Sequence, residues 1–207
     1  MLQSARPRTQ RGELYYGNVN RIIQQLVCIS SGCHFVAQLY DTFSSHYLTC
    51  ACLLKCDLLG QIFPDLVSTF KSPSYRQQQS GYWSNQQENT FPVCRIQPRI
   101  ANHIAATLLV NDFFNCPFAV KSGGHSAFAG SSNIQNGITV DLTQIDEVAV
   151  SSDGLTTRIG AGNRWIDVYK TLTPMNLSVI GGRVGAIGVG GLTLGGGYNV
   201  SLNKDWY

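Results

Sequence analysis

His125 follows Gly123-Gly124 and precedes Ser126, directly after the short apolar run Phe118-Ala119-Val120. An imidazole is a proton carrier and a nucleophile near neutral pH, and a glycine turn at a strand end can hold one out beside exposed backbone amides. On the residues alone His125 could be a nucleophile beside an anion site, although a lone His is more often a hydrogen-bonded bystander or a metal ligand, and no ligand cluster lies near it in sequence. The second candidate is residues 181–197, GGRVGAIGVGGLTLGGG, in which nine of seventeen positions are glycine. Backbone N–H donors reach a diphosphate most closely where no Cβ intervenes. The same glycine density also suits a tight turn between packed strands. No GxxxxGK[ST] motif occurs, and residues 188–197 do not fit GxGxxG, so neither a P-loop nor a Rossmann nicotinamide site is expected.

The third candidate is thiol chemistry. Cys28, Cys33, Cys50, Cys52, Cys56, Cys94 and Cys116 all lie in the first 116 residues. Cys50, Cys52 and Cys56 with His46 have ligand types for zinc but lack paired CxxC spacing, so no metal site is expected. Buried thiols, or one disulfide from the Cys52/Cys56 segment to Cys94, are the alternatives, and a disulfide would imply an oxidising compartment. Residues 1–21 are polar and Arg-bearing with no apolar signal core, which leaves localisation unassigned.

The elements that must position these groups follow from pattern. Five of the 21 glycines precede residue 121 and sixteen follow, marking a functional boundary. Residues 1–45 show no sustained period and are expected to be an irregular extension. Residues 68–89, rich in Gln, Ser and Asn, read as a surface segment pinned by Tyr75, Tyr82 and Trp83. Ile100, Ile104 and Leu108 recur every four residues and predict a helix over 99–111 with that stripe inward. Short strands are expected at 118–120, 138–142, 147–151 and 156–159. Asn163 is the expected N-cap of a second helix carrying Trp165, Val168, Tyr169 and Leu172 to Pro174, followed by a strand at 178–180 and the glycine loop. The fold class is α+β, with small mixed sheets and flanking helices. A chain of 207 residues with 43% hydrophobic and 13% charged residues suits a globular fold. No apolar run approaches the roughly 20 residues of a membrane span. The net charge of +3 is scattered, so neither membrane nor nucleic-acid partners are expected.

Taken in order, Lys121-Ser122-Gly123-Gly124-His125-Ser126, then Ile138-Thr139-Val140-Asp141-Leu142, then Gly190-Gly191-Leu192-Thr193-Leu194-Gly195-Gly196-Gly197 resemble the [RK]SGGHS…VDL…GGxxxGGG series of FAD-linked oxidases. These oxidases have a p-cresol methylhydroxylase (PCMH)-type FAD-binding domain, and the match is closest to the berberine bridge enzyme-like group. Tyr82-Trp83-Ser84 and Cys94-Arg95-Ile96-Gln97-Pro98 extend the likeness.

The resemblance implies that residues 46–197 form the N-terminal part of such a domain. It further implies that Lys121 to Ser126 wrap the FAD pyrophosphate, that His125 bonds through a ring nitrogen to the flavin 8α carbon, and that Gly188, Gly190, Gly191 and Thr193 pack against the cofactor. Some relatives add a thioether from a Cys six residues before the paired glycines. Val184 occupies that place, so a single bond is expected. A small-molecule substrate and dioxygen are the implied partners, and the implied reaction is hydride transfer to FAD and then to oxygen.

Residues 198–207 depart from the family pattern and read as a divergent tail, with the substrate domain and its general base absent. No catalytic residue is therefore assigned. Asp141, Asp167 and Tyr169 are read as structural, and a flavin-binding or vestigial domain without turnover is the alternative.

Overall fold

The computed structural model describes residues 44–197, which belong, from Ser45 on, to one compact unit. The readings for the preceding segment and for the tail 198–207 lie outside the described residues. The elements are α1 (Ser44–Ile62), β1 (Val67–Thr69), α2 (Pro73–Gln79), α3 (Asn85–Glu88), β2 (Cys94–Ile96), α4 (Ala101–Phe114), β3 (Phe118–Lys121), β4 (Ile138–Asp141), β5 (Val148–Val150), β6 (Thr157–Ile159), α5 (Trp165–Leu172) and α6 (Val189–Leu194), with single 3₁₀ turns at Leu142–Gln144 and Thr173–Met175. This is the expected α+β class. Among the described residues no helix is long and apolar enough to cross a membrane.

Four strands form a mixed sheet in the order β1-β2-β4-β3, antiparallel between β1 and β2 and parallel elsewhere. Both faces are covered, and every residue of central β4 is buried, as parallel strands require. Alternation along the strands splits the faces by chemistry. Cys94, Ile96, Ile138 and Val140 share an apolar face, where Cys56 of α1 is disulfide-bonded to Cys94. Arg95, Thr139, Lys121 and Asp141 share the other. A second disulfide joins Cys52 of α1 to Cys116 after α4. The Cys56–Cys94 bond is one of the pairings left open above, whereas Cys52–Cys116 was not anticipated. Together they occupy two of the three sulfurs that a zinc set on Cys50, Cys52 and Cys56 would need.

The second sheet is the β5–β6 hairpin, closed by Asp153-Gly154 with Gly154 at φ +71°. It packs on α5 through a cluster of Trp165, Val168, Leu172 and Val189, with Val148, Val150 and Ile159 against it.

Four expectations need correction. First, α4 runs 101–114 and turns Ala106, Thr107 and Val110 inward, leaving Ile100 and Leu108 51% and 42% exposed. Apolar residues surround this helix, so periodicity cannot choose the face. Small side chains at 106 and 107 permit close approach, the disulfide at Cys116 anchors the segment just beyond it, and Lys55 of α1 donates to Asn111. The helix ends where Asn115 turns left-handed, two residues before Pro117.

Second, α5 is capped at Arg164, not Asn163, and without a side-chain bond. Asn163 is buried and donates to the carbonyls of Glu147 and Gly160 instead. Third, residues 178–180 have no strand partner. That segment lies along α5, where Leu177 and Val179 pack on the apolar cluster and Tyr169 donates to the Gly182 carbonyl. Fourth, residues 68–89 are not a surface segment throughout. They hold β1 and two short helices, with Gln79 and Gln87 buried beside Tyr75 and Tyr82.

Candidate functional site

Ser122 and the two glycine loops, far apart in sequence, meet in space. Its hydroxyl donates to the Ala161 carbonyl at 2.6 Å and accepts from the Gly190 amide at 3.2 Å. Gly123 and Gly188 touch main chain to main chain. A Cβ on Gly123 would stand 2.5 Å from the Gly188 nitrogen, and one on Gly188 would meet the Gly123 nitrogen and stand 2.6 Å from Ser122 Oγ. Glycine at both positions is therefore a condition of the junction.

Beneath the first loop the polar sheet face forms a buried support. Lys121 Nζ pairs with Asp141 Oδ2 at 2.9 Å, both groups buried, and lies 5.2 Å from the Tyr82 ring centre. Arg95, fully buried, has its guanidinium 5.4 Å from the ring centres of both Tyr75 and Tyr82. It donates to Gln79 and, at 3.0 Å, to Asn133 Oδ1. This buried guanidinium, which has no carboxylate partner among the described residues, is stabilised by ring faces and amide oxygens. Tyr82 donates to the Ser132 carbonyl at 2.8 Å, and burial pushes its phenol pKa up against the opposing pull of Arg95. Gly124, at φ +66°, turns over this support, where a Cβ would stand 3.1 Å from Lys121 Cε. Lys121 thus serves beneath the loop and does not reach its open side.

On that loop His125 is exposed, and its imidazole makes no hydrogen bond among the described residues. Its ring lies 5.6 Å from that of Trp83, tilted 36°. The amides of Gly123, Gly124, His125, Ser126, Ala127 and Phe128 donate to no acceptor among the described residues. Successive N–H groups without an acceptor among the described residues suit an oxyanion such as a diphosphate. Arg164 reaches the Gly123 carbonyl at 3.4 Å and adds a cation beside the loop.

The second loop is held through its own carbonyls. Gly185 and Ile187 accept from the first amides of α5, at Ile166 and Trp165, satisfying donors that a helix start otherwise leaves open. Gly181 and Gly182 lie against the Trp165 ring so closely that a Cβ on either would collide with it. Gly188 and Gly190 reach the junction, Gly191 faces open space, and the Thr193 hydroxyl is spent on the Val189 carbonyl within α6.

The residues expected from sequence are therefore gathered at one place, except that Lys121 lies underneath and Thr193 turns into its helix. Of the unassigned titratable residues, Asp141 is the Lys121 partner, Asp167 is exposed on α5 and Tyr169 holds Gly182. Sequence reasoning gave no role to Arg95, Asn133, Ser84, Gln87 and Arg164, and of these Asn133, Gln87 and Arg164 carry no periodic or motif signal. Only Trp83-Ser84 and Arg95 lay within the quoted resemblance.

Residues 92–205 match the family model described as FAD binding domain. The chain is 46% identical over 117 residues to the FAD-dependent monooxygenase tpcD of Cochliobolus heterostrophus, covering 56% of this chain and 22% of that one. It is 37% identical over 151 residues to the FAD-dependent monooxygenase prx3 of Penicillium roqueforti, covering 72% and 29%. Among solved structures, Phl p 4, a grass pollen allergen with glucose dehydrogenase activity, superposes with a TM-score of 0.62 at 25% identity over 75% of this chain and 33% of its own. A BBE-like 1 variant from Physcomitrella patens superposes with a TM-score of 0.59 at 18% identity, over 73% and 32%. The chain thus spans 22–29% of the length of these two curated relatives. With more than half its length matched to the family model and both glycine loops in place, this chain belongs to the FAD binding domain family.

Proposed function

We propose that the two loops hold FAD across their junction, that His125 bonds it covalently, and that the domain serves an oxidoreductase taking a hydride from a small organic substrate and passing the electrons to dioxygen. The observation that carries this reading is the convergence at Gly123 and Gly188 of two glycine loops, the first of which carries an exposed imidazole and successive amides without an acceptor among the described residues. The donor set fits the cofactor: the amides of residues 123–128 and the Arg164 cation suit its diphosphate, and the open space at Gly191 leaves room beside them. Lys121, Ser122, Gly124 and Ser126 shape this cradle, Gly190 closes it, and Thr193 stiffens the short helix behind it.

Bound flavin supplies two-electron acceptance, and attachment at the ring tunes its electronics. The bond from an imidazole nitrogen to the 8α carbon replaces one N–H and one C–H. The two hydrogens and their electron pair leave to dioxygen, giving hydrogen peroxide. His125 can supply that nitrogen because no hydrogen bond to a described residue engages it. The FAD-dependent monooxygenases among the relatives support oxygen as the electron acceptor. Two disulfides support passage through an oxidising compartment.

The test is acid precipitation of purified protein supplied with FAD. Flavin absorbance retained in the wild-type pellet and lost in His125→Ala is the expected result. Flavin that washes out of both, or never binds, contradicts the proposal.

A further inference from the structure

Three side chains from one short stretch grip three consecutive carbonyls of the first loop. Trp83 Nε1 donates to the His125 carbonyl at 2.9 Å, Gln87 Nε2 to that of Ser126 at 3.4 Å, and Ser84 Oγ to that of Ala127 at 2.7 Å. Across a trans peptide the C=O of one residue and the N–H of the next point in opposite directions. Fixing these carbonyls toward the start of α3 therefore turns the amides of Ser126, Ala127 and Phe128 the other way, and none of the three has an acceptor among the described residues.

We propose that Trp83, Ser84 and Gln87 are positioning residues that aim these amides at the cofactor diphosphate, an inference that rests on the reading of this loop as the FAD site. Trp83 does two things at once, since its ring also lies against the His125 imidazole and sets where the nucleophile stands. It remains 62% exposed while doing so, so its bond is not a by-product of core packing. Gln87 is fully buried and also donates to Ser131, which ties the clamp to the segment that follows the loop.

The experiment measures two quantities on the full chain: FAD affinity in the His125→Ala background, where no covalent bond can form, and the rate at which protein with His125 intact gains acid-stable flavin. Trp83→Phe keeps a ring without the donor, Ser84→Ala removes the hydroxyl, and Ser84→Thr restores it. Each lost bond is worth roughly 1 kcal/mol, so Trp83→Phe and Ser84→Ala are each expected to weaken FAD binding about fivefold. The same two changes slow flavin attachment, and Ser84→Thr recovers both quantities. A simple folding defect would not be rescued at one hydroxyl in this way. Unchanged affinity and attachment rate in Trp83→Phe and Ser84→Ala, with wild type still gaining acid-stable flavin, overturn the clamp alone. No FAD binding by wild type or His125→Ala overturns the FAD site and the clamp with it.

Discussion

The two glycine loops reach the same junction by different means. The first, from Lys121 to Phe128, has its carbonyls held by side chains, from Trp83, Ser84 and Gln87, above a buried polar support of Lys121, Asp141, Arg95 and Tyr82. The second has its carbonyls held by main-chain amides of α5 and its glycines pressed against Trp165, above an apolar cluster. Directional bonds from side chains specify orientation, which the proposed attachment of flavin at His125 requires. Steric contact on an aromatic face specifies proximity, which suffices for a loop that closes one side of a cradle. Substitutions should accordingly separate the loops by chemistry: loss of charge or hydrogen-bonding groups should disable the first, and loss or gain of volume the second.

The largest effects should come from the two supports. Lys121→Met strands the Asp141 carboxylate in the interior and should cost about 3–5 kcal/mol, as removal of one partner of a buried pair does. Trp165→Ala should cost a similar amount, about 3–5 kcal/mol, by emptying the apolar cluster beneath the second loop. Urea unfolding under non-reducing conditions measures both. If Lys121→Met is nearly neutral, the first loop does not depend on its ion pair.

Removing the staple between α1 and β2, as Cys56→Ser with Cys94→Ser, should lower stability by about 2–4 kcal/mol without touching either loop. Unfolding measured with and without reductant checks it: reductant should still destabilise the double variant, but only through the remaining Cys52–Cys116 bond, so its effect should fall to roughly half.

Gly188→Ala should cost about 1–3 kcal/mol through overpacking, since main chain lies on the far side of the new methyl group. Its loss of FAD binding should exceed its loss of stability. Gly191→Ala, with open space around it, is the control and should keep the fold within about 0.5 kcal/mol.

The remaining effect is a pH slope. Burial lowers the Lys55 pKa from 10.5 to about 7, so between about pH 7 and 10.5 the unfolded chain carries a proton that the folded chain lacks. Stability from this residue therefore rises with pH across that window and falls away as pH drops toward 7. Thermal midpoints taken from pH 7 to 9 should climb more steeply in wild type than in Lys55→Met. Parallel slopes would show that Lys55 does not titrate on folding.

Much of this was legible in the residues. The strands at β3, β4, β5 and β6 fell within a residue or two of expectation because short apolar runs there are closed by glycine turns. Both glycine loops stood out by composition. What was not legible is what holds them. Arg95, Gln79 and Asn133 sit in the interior without any apolar period, and a buried amide network has no one-dimensional signature. The inward face of α4 was misread because Ile100, Ile104, Leu108 and Val110 offer competing stripes, and the packing that decides comes from α1, sixty residues away in places. Ser178 to Ile180 look like a strand in isolation, and only a missing ladder partner makes them an extended segment on α5.

Mapping the flavin attachment site tests the central claim most directly. Trypsin should release the peptide from Ser122 to Arg158, which has no internal Lys or Arg and contains His125. If the account is right, protein saturated with FAD yields that peptide heavier by one FAD less two hydrogens, with fragmentation placing the mass on His125. An unmodified Ser122–Arg158 peptide, or a flavin found on any other peptide, would contradict it.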